Sequence, residues 1–254
     1  MCYRIRVDNA VIVTAMLQNT PVRRRKLYED IVARIEQAII NGELSSGDQI
    51  PSERELMASF GVGRTSVREA LFALQRMGLI ALNNGERARV TQPTPEVLVG
   101  ELSGTARHLL ATPEGVRHFQ QARLFLEVAL ARHAAEHASK DDLLTLKDAL
   151  EANRKAIDQP EKFVRTDVFF HFVLAKISAN PIFTSLHTAI AEWLMEQRAT
   201  AARAEKASMQ RAYNAHKRIY AAIISRDPDA AEAAMRSHLD RVNKFYWQVK
   251  SHER

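Results

Sequence analysis

Pro51-Ser52-Glu53-Arg54-Glu55-Leu56, then Gly61-Val62-Gly63-Arg64-Thr65-Ser66-Val67-Arg68-Glu69-Ala70-Leu71, is the stretch that decides the fold. Ser52 with Glu55 three residues on is a capping box, so a helix starts there. It is short and ends near Phe60-Gly61. Val62-Gly63 separates it from a second helical run whose apolar face is Val67, Leu71 and Leu74 and which reaches Met77-Gly78. Two helices joined by a tight glycine-containing turn predict a helix-turn-helix.

Upstream, Leu27, Ile31, Ile35, Ala38 and Ile39 recur at helical spacing and stop at Asn41-Gly42, which predicts a preceding helix with a C-cap pair. Ser45-Ser46-Gly47-Asp48 reads as a turn. Downstream, Leu79-Ile80-Ala81-Leu82 and Arg87-Ala88-Arg89-Val90 flank Asn83-Asn84-Gly85-Glu86. Asn-Gly between short strand-like runs signals a hairpin. Three helices and a hairpin make a winged helix, placed at residues 21–91 and opened by the basic cluster Arg23-Arg24-Arg25-Lys26.

A reading helix needs hydrogen-bond donors at its exposed N-terminal end and an apolar face to grip its neighbours. Arg64 and Arg68 lie one turn apart, Thr65 and Ser66 can reach phosphates or bases, and Arg54 on the preceding helix can reach the DNA backbone. Arginine suits either guanine or phosphate. The alternative is an amphipathic helical pair with solvated arginines. Arg87 and Arg89 on the hairpin add an independent basic part and favour DNA.

The chain has 254 residues and a formal charge of +6, which permits polyanion binding without showing it. Its single cysteine, Cys2, excludes an intrachain disulfide and a cysteine zinc cluster and fits the cytoplasm. Ala10 to Leu17 is too short to span a bilayer. Residues 1–20 read as a tail or an over-extended start, with Met16 the alternative initiator. Gln92-Pro93-Thr94-Pro95 reads as a linker at 92–95.

Residues 96–254 read as helical. Thr112-Pro113, Asn180-Pro181 and Asp227-Pro228 each pair a good N-cap with proline at the first helical position. The expected helices lie near 95–110, 113–138, 140–157, 160–178, 181–203, 207–226 and 228–249. The fold class is therefore mainly α: an N-terminal winged helix-turn-helix and a C-terminal all-α bundle of six or seven helices.

Within that bundle, Asp167 and His171 share a helix face with Val164 and Ala175. His216 falls in line with Ala212, Ile219, Tyr220 and Ile223, and His238 with Ala231, Met235, Val242 and Phe245. One carboxylate and three imidazoles suit a borderline divalent ion such as zinc. For each histidine taken alone, a buried hydrogen-bond donor is the stronger reading. Arg123 shares a face with Phe119, Leu126 and Leu130, either to meet an anionic ligand or to pair with Glu127 one turn on. Arg198 is a second candidate for the ligand, or a solvated arginine. Asn180 reads as a helix cap.

Pro51 to Leu56, Gly61 to Arg64, Val67 to Leu71 and Gly78-Leu79-Ile80 together resemble the signature of GntR-family repressors. The family usually has Ser or Thr where Gly63 stands and often Pro where Ser66 stands, so a hydroxyl contact is lost here. The resemblance implies DNA contacts from Arg54, Arg64 and Arg68 and a wing tip at Gly85 entering the minor groove. Asp167-x-x-x-His171 with Phe170, and Asn180-Pro181-Ile182-Phe183, resemble the effector domain of the FadR subfamily. That likeness implies a metal held by Asp167, His171, His216 and His238. Asn83 to Val90, Gly100-Glu101-Leu102-Ser103-Gly104 and Asn180 to Phe183 resemble the sialic-acid branch of the family, which implies N-acetylneuraminate or another sugar acid as inducer.

The expectation is a homodimeric repressor with two winged helices on operator DNA and a small anionic effector at a divalent metal. Paired half-sites multiply the specificity of a short reader. The rival is a metal-dependent enzyme of sugar-acid metabolism using the Asp/His site, against which stands the lack of an evident general base or nucleophile motif. No membrane partner is expected.

Overall fold

The computed structural model describes residues 26–83, 86–204 and 206–252. The chain divides between Gln92 and Pro93 into two compact units. The first contains α1 (Leu27–Ile40), α2 (Glu53–Phe60), α3 (Arg64–Arg76), β1 (Ile80–Ala81) and β2 (Arg89–Val90). Ser52 Oγ accepts from the Glu55 N–H at 3.3 Å while the Ser52 N–H donates to Glu55 Oε2 at 2.7 Å, so the capping box forms in full. Gly61 ends α2 in the left-handed region at φ 64°, a conformation glycine adopts without a Cβ clash.

The strands pair antiparallel, Ile80 opposite Val90 and Ala81 opposite Arg89. They are shorter than the four-residue runs expected from the sequence, and a third segment joins them. Gly47 N–H donates to the Val90 carbonyl at 2.9 Å, Val90 N–H to that of Asp48 at 2.9 Å, and Ile50 N–H to that of Ala88 at 2.8 Å. The stretch around Asp48 is therefore more than a turn. It seats Ile50 in one core with Ile31, Ile35, Leu56, Val67, Leu71, Leu74, Ile80 and Val90. Gly85, the expected wing tip, lies outside the described residues, as do residues 1–20 and most of the basic cluster.

The second unit contains α4 (Pro95–Gly100), α5 (Ser103–Leu110), α6 (Pro113–His137), α7 (Lys140–Lys155), α8 (Pro160–Ile177), α9 (Pro181–Trp193), α10 (Met195–Ala204), α11 (Lys206–Ile224) and α12 (Pro228–His252). Its described residues hold no strand. Two helices expected to be continuous are broken. The 95–110 run stops at Gly100, a poor helix former, and Pro95 opens α4 rather than closing a linker. The 181–203 run bends at Leu194, where ψ is 18°. No glycine or proline marks that bend; Leu194 turns into the core there.

The punctuation read from the sequence forms as hydrogen bonds. Thr112 Oγ1 accepts from Gly115 N–H at 3.1 Å, Asn180 Oδ1 from Ile182 N–H at 3.0 Å and Asp227 Oδ1 from Ala230 N–H at 2.9 Å. Ala131, Ala134 and Ala135 of α6 share one core with Leu146, Phe170, Leu174, Ile219, Ile223, Met235 and Leu239. Three small residues on α6 let neighbouring helices approach closely, which brings polar positions of different helices within reach of one another.

Candidate nucleic-acid interface and candidate metal centre

In the first unit Arg54, Arg64, Thr65, Arg68 and Arg87 are exposed and Ser66 is half-buried. Val67 and Leu71 anchor the opposite face of α3, so its N-terminal turn is left for solvent or a ligand. Gly63 stands at the N-cap without a side-chain hydrogen bond, leaving first-turn N–H groups open to an anion. One carboxylate organises the arginines: Glu53 Oε1 lies 3.3 Å from Arg68 Nε and Glu53 Oε2 lies 3.7 Å from Arg64 Nε. Such exposed pairs add little stability, but a shared carboxylate keeps both guanidinium groups on one side. Arg87 lies 3.8 Å from Glu55. Arg89, expected as a second wing cation, donates from Nη1 to the Gly47 carbonyl at 2.9 Å, so its head is engaged within its own unit.

In the second unit, α8 supplies Asp167 and His171, α11 supplies His216 and α12 supplies His238. Each offers a ligand-type atom, and these atoms all lie within 4.8 Å of one another. All four residues are buried. The His171, His216 and His238 rings meet at centroid distances of 5.0, 5.3 and 4.8 Å. The Nε2 atoms of all three are buried without a hydrogen-bond partner. Buried polar atoms are normally satisfied, so three orphans converging on a carboxylate are what a cation site requires.

The outer contacts orient these atoms. His216 Nδ1 lies 2.9 Å from Asn153 Oδ1; an Nδ1–H donated there leaves the Nε2 lone pair facing the cluster. His171 Nδ1 lies 2.5 Å from Glu127 Oε2. A histidine whose second nitrogen is held by an oxygen is the usual arrangement for a metal ligand. Asp167 divides its oxygens: Oδ2 accepts from Arg198 Nη1, while Oδ1 faces His216 Nε2 at 3.4 Å.

Burial holds the His216 imidazole down at about 3 against the pull of Asp167. Burial also pushes His238 well below its ordinary value. Both rings are therefore neutral at physiological pH, as metal ligation needs. Burial alone would raise Asp167, but Arg198 together with His171, His216 and His238 outweighs it and holds the carboxyl below its usual range. Glu127 is likewise lowered, its burial outweighed by Arg123 and His171.

Arg123 forms the Glu127 pair, one of its two sequence readings. Its Nε donates to Glu127 Oε1 at 2.7 Å, while its Nη1 is buried and unpartnered. Arg198 is buried, not solvated; Nε and Nη2 make no hydrogen bond, although Nη2 lies 3.7 Å from Glu127 Oε1. Both arginines, with Asp167 and His238, line a cavity of about 450 Å³ that also presents Phe163, Met209, Arg211, Arg241 and Phe245. Cavities of roughly 300–1,000 Å³ with a few polar groups among apolar walls suit small molecules.

Residues 27–90 match the model for bacterial regulatory proteins of the gntR family, and residues 119–241 match that of the FCD domain. The chain is 46% identical over 237 residues to the HTH-type transcriptional repressor NanR of Citrobacter rodentium (strain ICC168), covering 93% of this chain and 91% of that protein. NanR of Escherichia coli (strain K12) is also 46% identical, over 93% of this chain and 90% of that protein. The chain belongs to the GntR family. Among solved structures, a Streptococcus agalactiae GntR protein superposes with a TM-score of 0.58 at 25% identity, covering 85% of this chain and 99% of that one. As a GntR-family regulator the chain is not an enzyme, and the metalloenzyme alternative falls with that.

The GntR match includes all the described DNA-reading candidates, and the FCD match includes the whole Asp/His cluster. Sequence reasoning missed Glu53, Asn153 and the buried His187, whose Nε2 lies 3.8 Å from Glu127 Oε1, and treated Glu127 only as a partner for Arg123. Two of these were detectable by the rule that found His216. Asn153 continues the apolar stripe Leu146, Ala149, Leu150, and His187 continues the stripe Ile190, Ala191, Leu194. Glu53 gave no such signal, because its role depends on how α2 and α3 pack.

Proposed function

We propose that this GntR-family protein is a homodimeric, ligand-responsive repressor. It binds operator DNA through Arg54, Arg64, Thr65, Ser66, Arg68, Gly85 and Arg87. It leaves the operator when a small anionic metabolite enters the effector bundle. Asp167, His171, His216 and His238 would hold a divalent ion, most suitably zinc, whose charge would supply an electrophilic anchor for the metabolite. The resemblance of Asn83 to Val90, Gly100 to Gly104 and Asn180 to Phe183 to the sialic-acid branch of the family supports N-acetylneuraminate or a related sugar acid as that metabolite. Action on DNA supports a cytoplasmic location, and no helix among the described residues is long and apolar enough to cross a membrane.

The observation that carries the reading is the set of three orphaned Nε2 atoms beside Asp167, with Asp167 and His238 lining a cavity that Arg123 and Arg198 also line. Charge balance agrees. Asp167 and Glu127 offset Arg123 and Arg198, so a divalent ion would leave the buried site positive. A carboxylate ligand would reduce that excess and satisfy Arg123 Nη1 and Arg198 Nη2. The ligand can act as a switch only by favouring the DNA-free state over the DNA-bound one.

Elemental analysis tests the site. Wild-type protein freed of loosely held metal should retain a divalent ion that His216→Ala loses. An ion undiminished in that variant is held elsewhere, and the reading is wrong.

A further inference from the structure

The C-terminal end of α6 carries a second group of metal-ligand type, away from the cavity. His133, Glu136 and His137 each offer a ligand atom, and these atoms lie within 4.8 Å of one another. The histidines are four residues apart, so they project from one face of the helix. Their rings stack at a centroid distance of 4.2 Å, 19° from parallel. Glu136 and His137 are exposed and His133 is half-buried.

Two contacts prepare these side chains for a cation. His137 Nδ1 lies 3.1 Å from the His133 backbone carbonyl. Donation of Nδ1–H to that carbonyl fixes the neutral tautomer with its lone pair on Nε2, the second-nitrogen contact that metal-bound histidines make. Glu136 gives one oxygen to Arg132, with Oε1 at 3.4 Å from Nε, and its Oε2 stays on the histidine side, 3.8 Å from His137 Nδ1. Arg132 does not depend on that contact, because Asp229 and Glu232 lie 2.6 and 3.3 Å from its Nη1. Redirecting Glu136 towards a cation therefore leaves Arg132 paired.

We infer that His133, Glu136 and His137 form a solvent-facing site for a borderline divalent transition-metal ion, separate from the buried Asp/His centre. Two imidazoles and one carboxylate suit zinc, nickel or copper over magnesium or calcium, which prefer all-oxygen sites. Three ligands from one helix leave coordination positions to water. An ion here exchanges readily with chelators, because no buried wall encloses it.

Equilibrium dialysis of the full-length protein against zinc chloride tests this, with bound metal counted per chain. Wild type should take up one ion more than the buried centre accounts for. His137→Gln, an exposed change that leaves the fold intact, should lose that additional ion and keep the other. His133→Gln should do the same, and His216→Ala should lose only the buried ion. A wild type that saturates at a single ion, lost in His216→Ala and kept in His137→Gln, overturns the surface site and leaves the buried centre standing. Undiminished uptake in His137→Gln also overturns it. Loss of an ion in His137→Gln but none in His216→Ala supports the surface site and counts against the buried one.

Discussion

Replacing Glu127 by glutamine probes the electrostatic logic of the bundle at its most connected residue. Glu127 is 3% exposed. Its Oε1 lies 2.7 Å from Arg123 Nε and 3.7 Å from Arg198 Nη2, and its Oε2 lies 2.5 Å from His171 Nδ1. Glutamine keeps the shape and one acceptor oxygen but removes the charge that offsets a guanidinium 2% exposed. Breaking a buried pair by removing one partner costs about 3–5 kcal/mol. For a unit of this size that corresponds to a fall in melting temperature of about 10 °C. Arg123→Met alone should be of similar severity, because it strands the carboxylate. The double variant should recover part of the loss, giving a coupling of about 1–3 kcal/mol. Recovery is incomplete because Arg198 and His171 also face Glu127. Urea unfolding of all four proteins at one fixed concentration measures the cycle. If the two single costs simply add, Arg123 and Glu127 are not interacting as a buried pair and the charge-balance reasoning is refuted.

Arg64→Ala or Arg68→Ala should each weaken specific operator binding by about 1–3 kcal/mol while leaving the bundle folded; wild-type affinity in both, measured by fluorescence anisotropy, would move the reading surface elsewhere. Ser52→Ala removes the α2 cap and should lower the stability of the winged-helix unit by about 1 kcal/mol, read from its thermal midpoint. The metal-free protein should lose stability as pH falls, in a calorimetric series from neutral pH downwards. The buried His216 and His187, held near 3 against an ordinary 6.5, oppose protonation that the unfolded chain accepts. The lowered carboxylates Asp167 and Glu127 act in the same direction below about 4. The decline therefore begins near pH 6.5, and a midpoint flat down to pH 4 would contradict the burial of neutral histidines.

Much of this was legible because the punctuation is local. Capping boxes, N-cap–proline pairs and the glycine turn at Gly61 act over three or four residues, and they placed the helices and the reader. The Asp/His cluster was legible because polar residues on an apolar helical stripe must face the interior, whatever they meet there. What was illegible depends on packing between distant segments. The pairing of Ile50 with Ala88 spans the reader, and its short extended segment shows no alternation. The bend at Leu194 has no breaker residue, and Glu53 holds Arg64 and Arg68 only once α2 and α3 are packed.

The most direct test of the proposed switch is an operator titration with zinc-loaded protein, with and without saturating N-acetylneuraminate, repeated on metal-free protein and on His216→Ala. A metabolite bound at the Asp/His centre should weaken operator affinity of the loaded wild type by about 10- to 100-fold, the usual range of allosteric coupling. It should change neither the metal-free protein nor the variant. Equal release from the metal-free protein would contradict the metal-centred site, and no release by any sugar acid would contradict the assigned effector class.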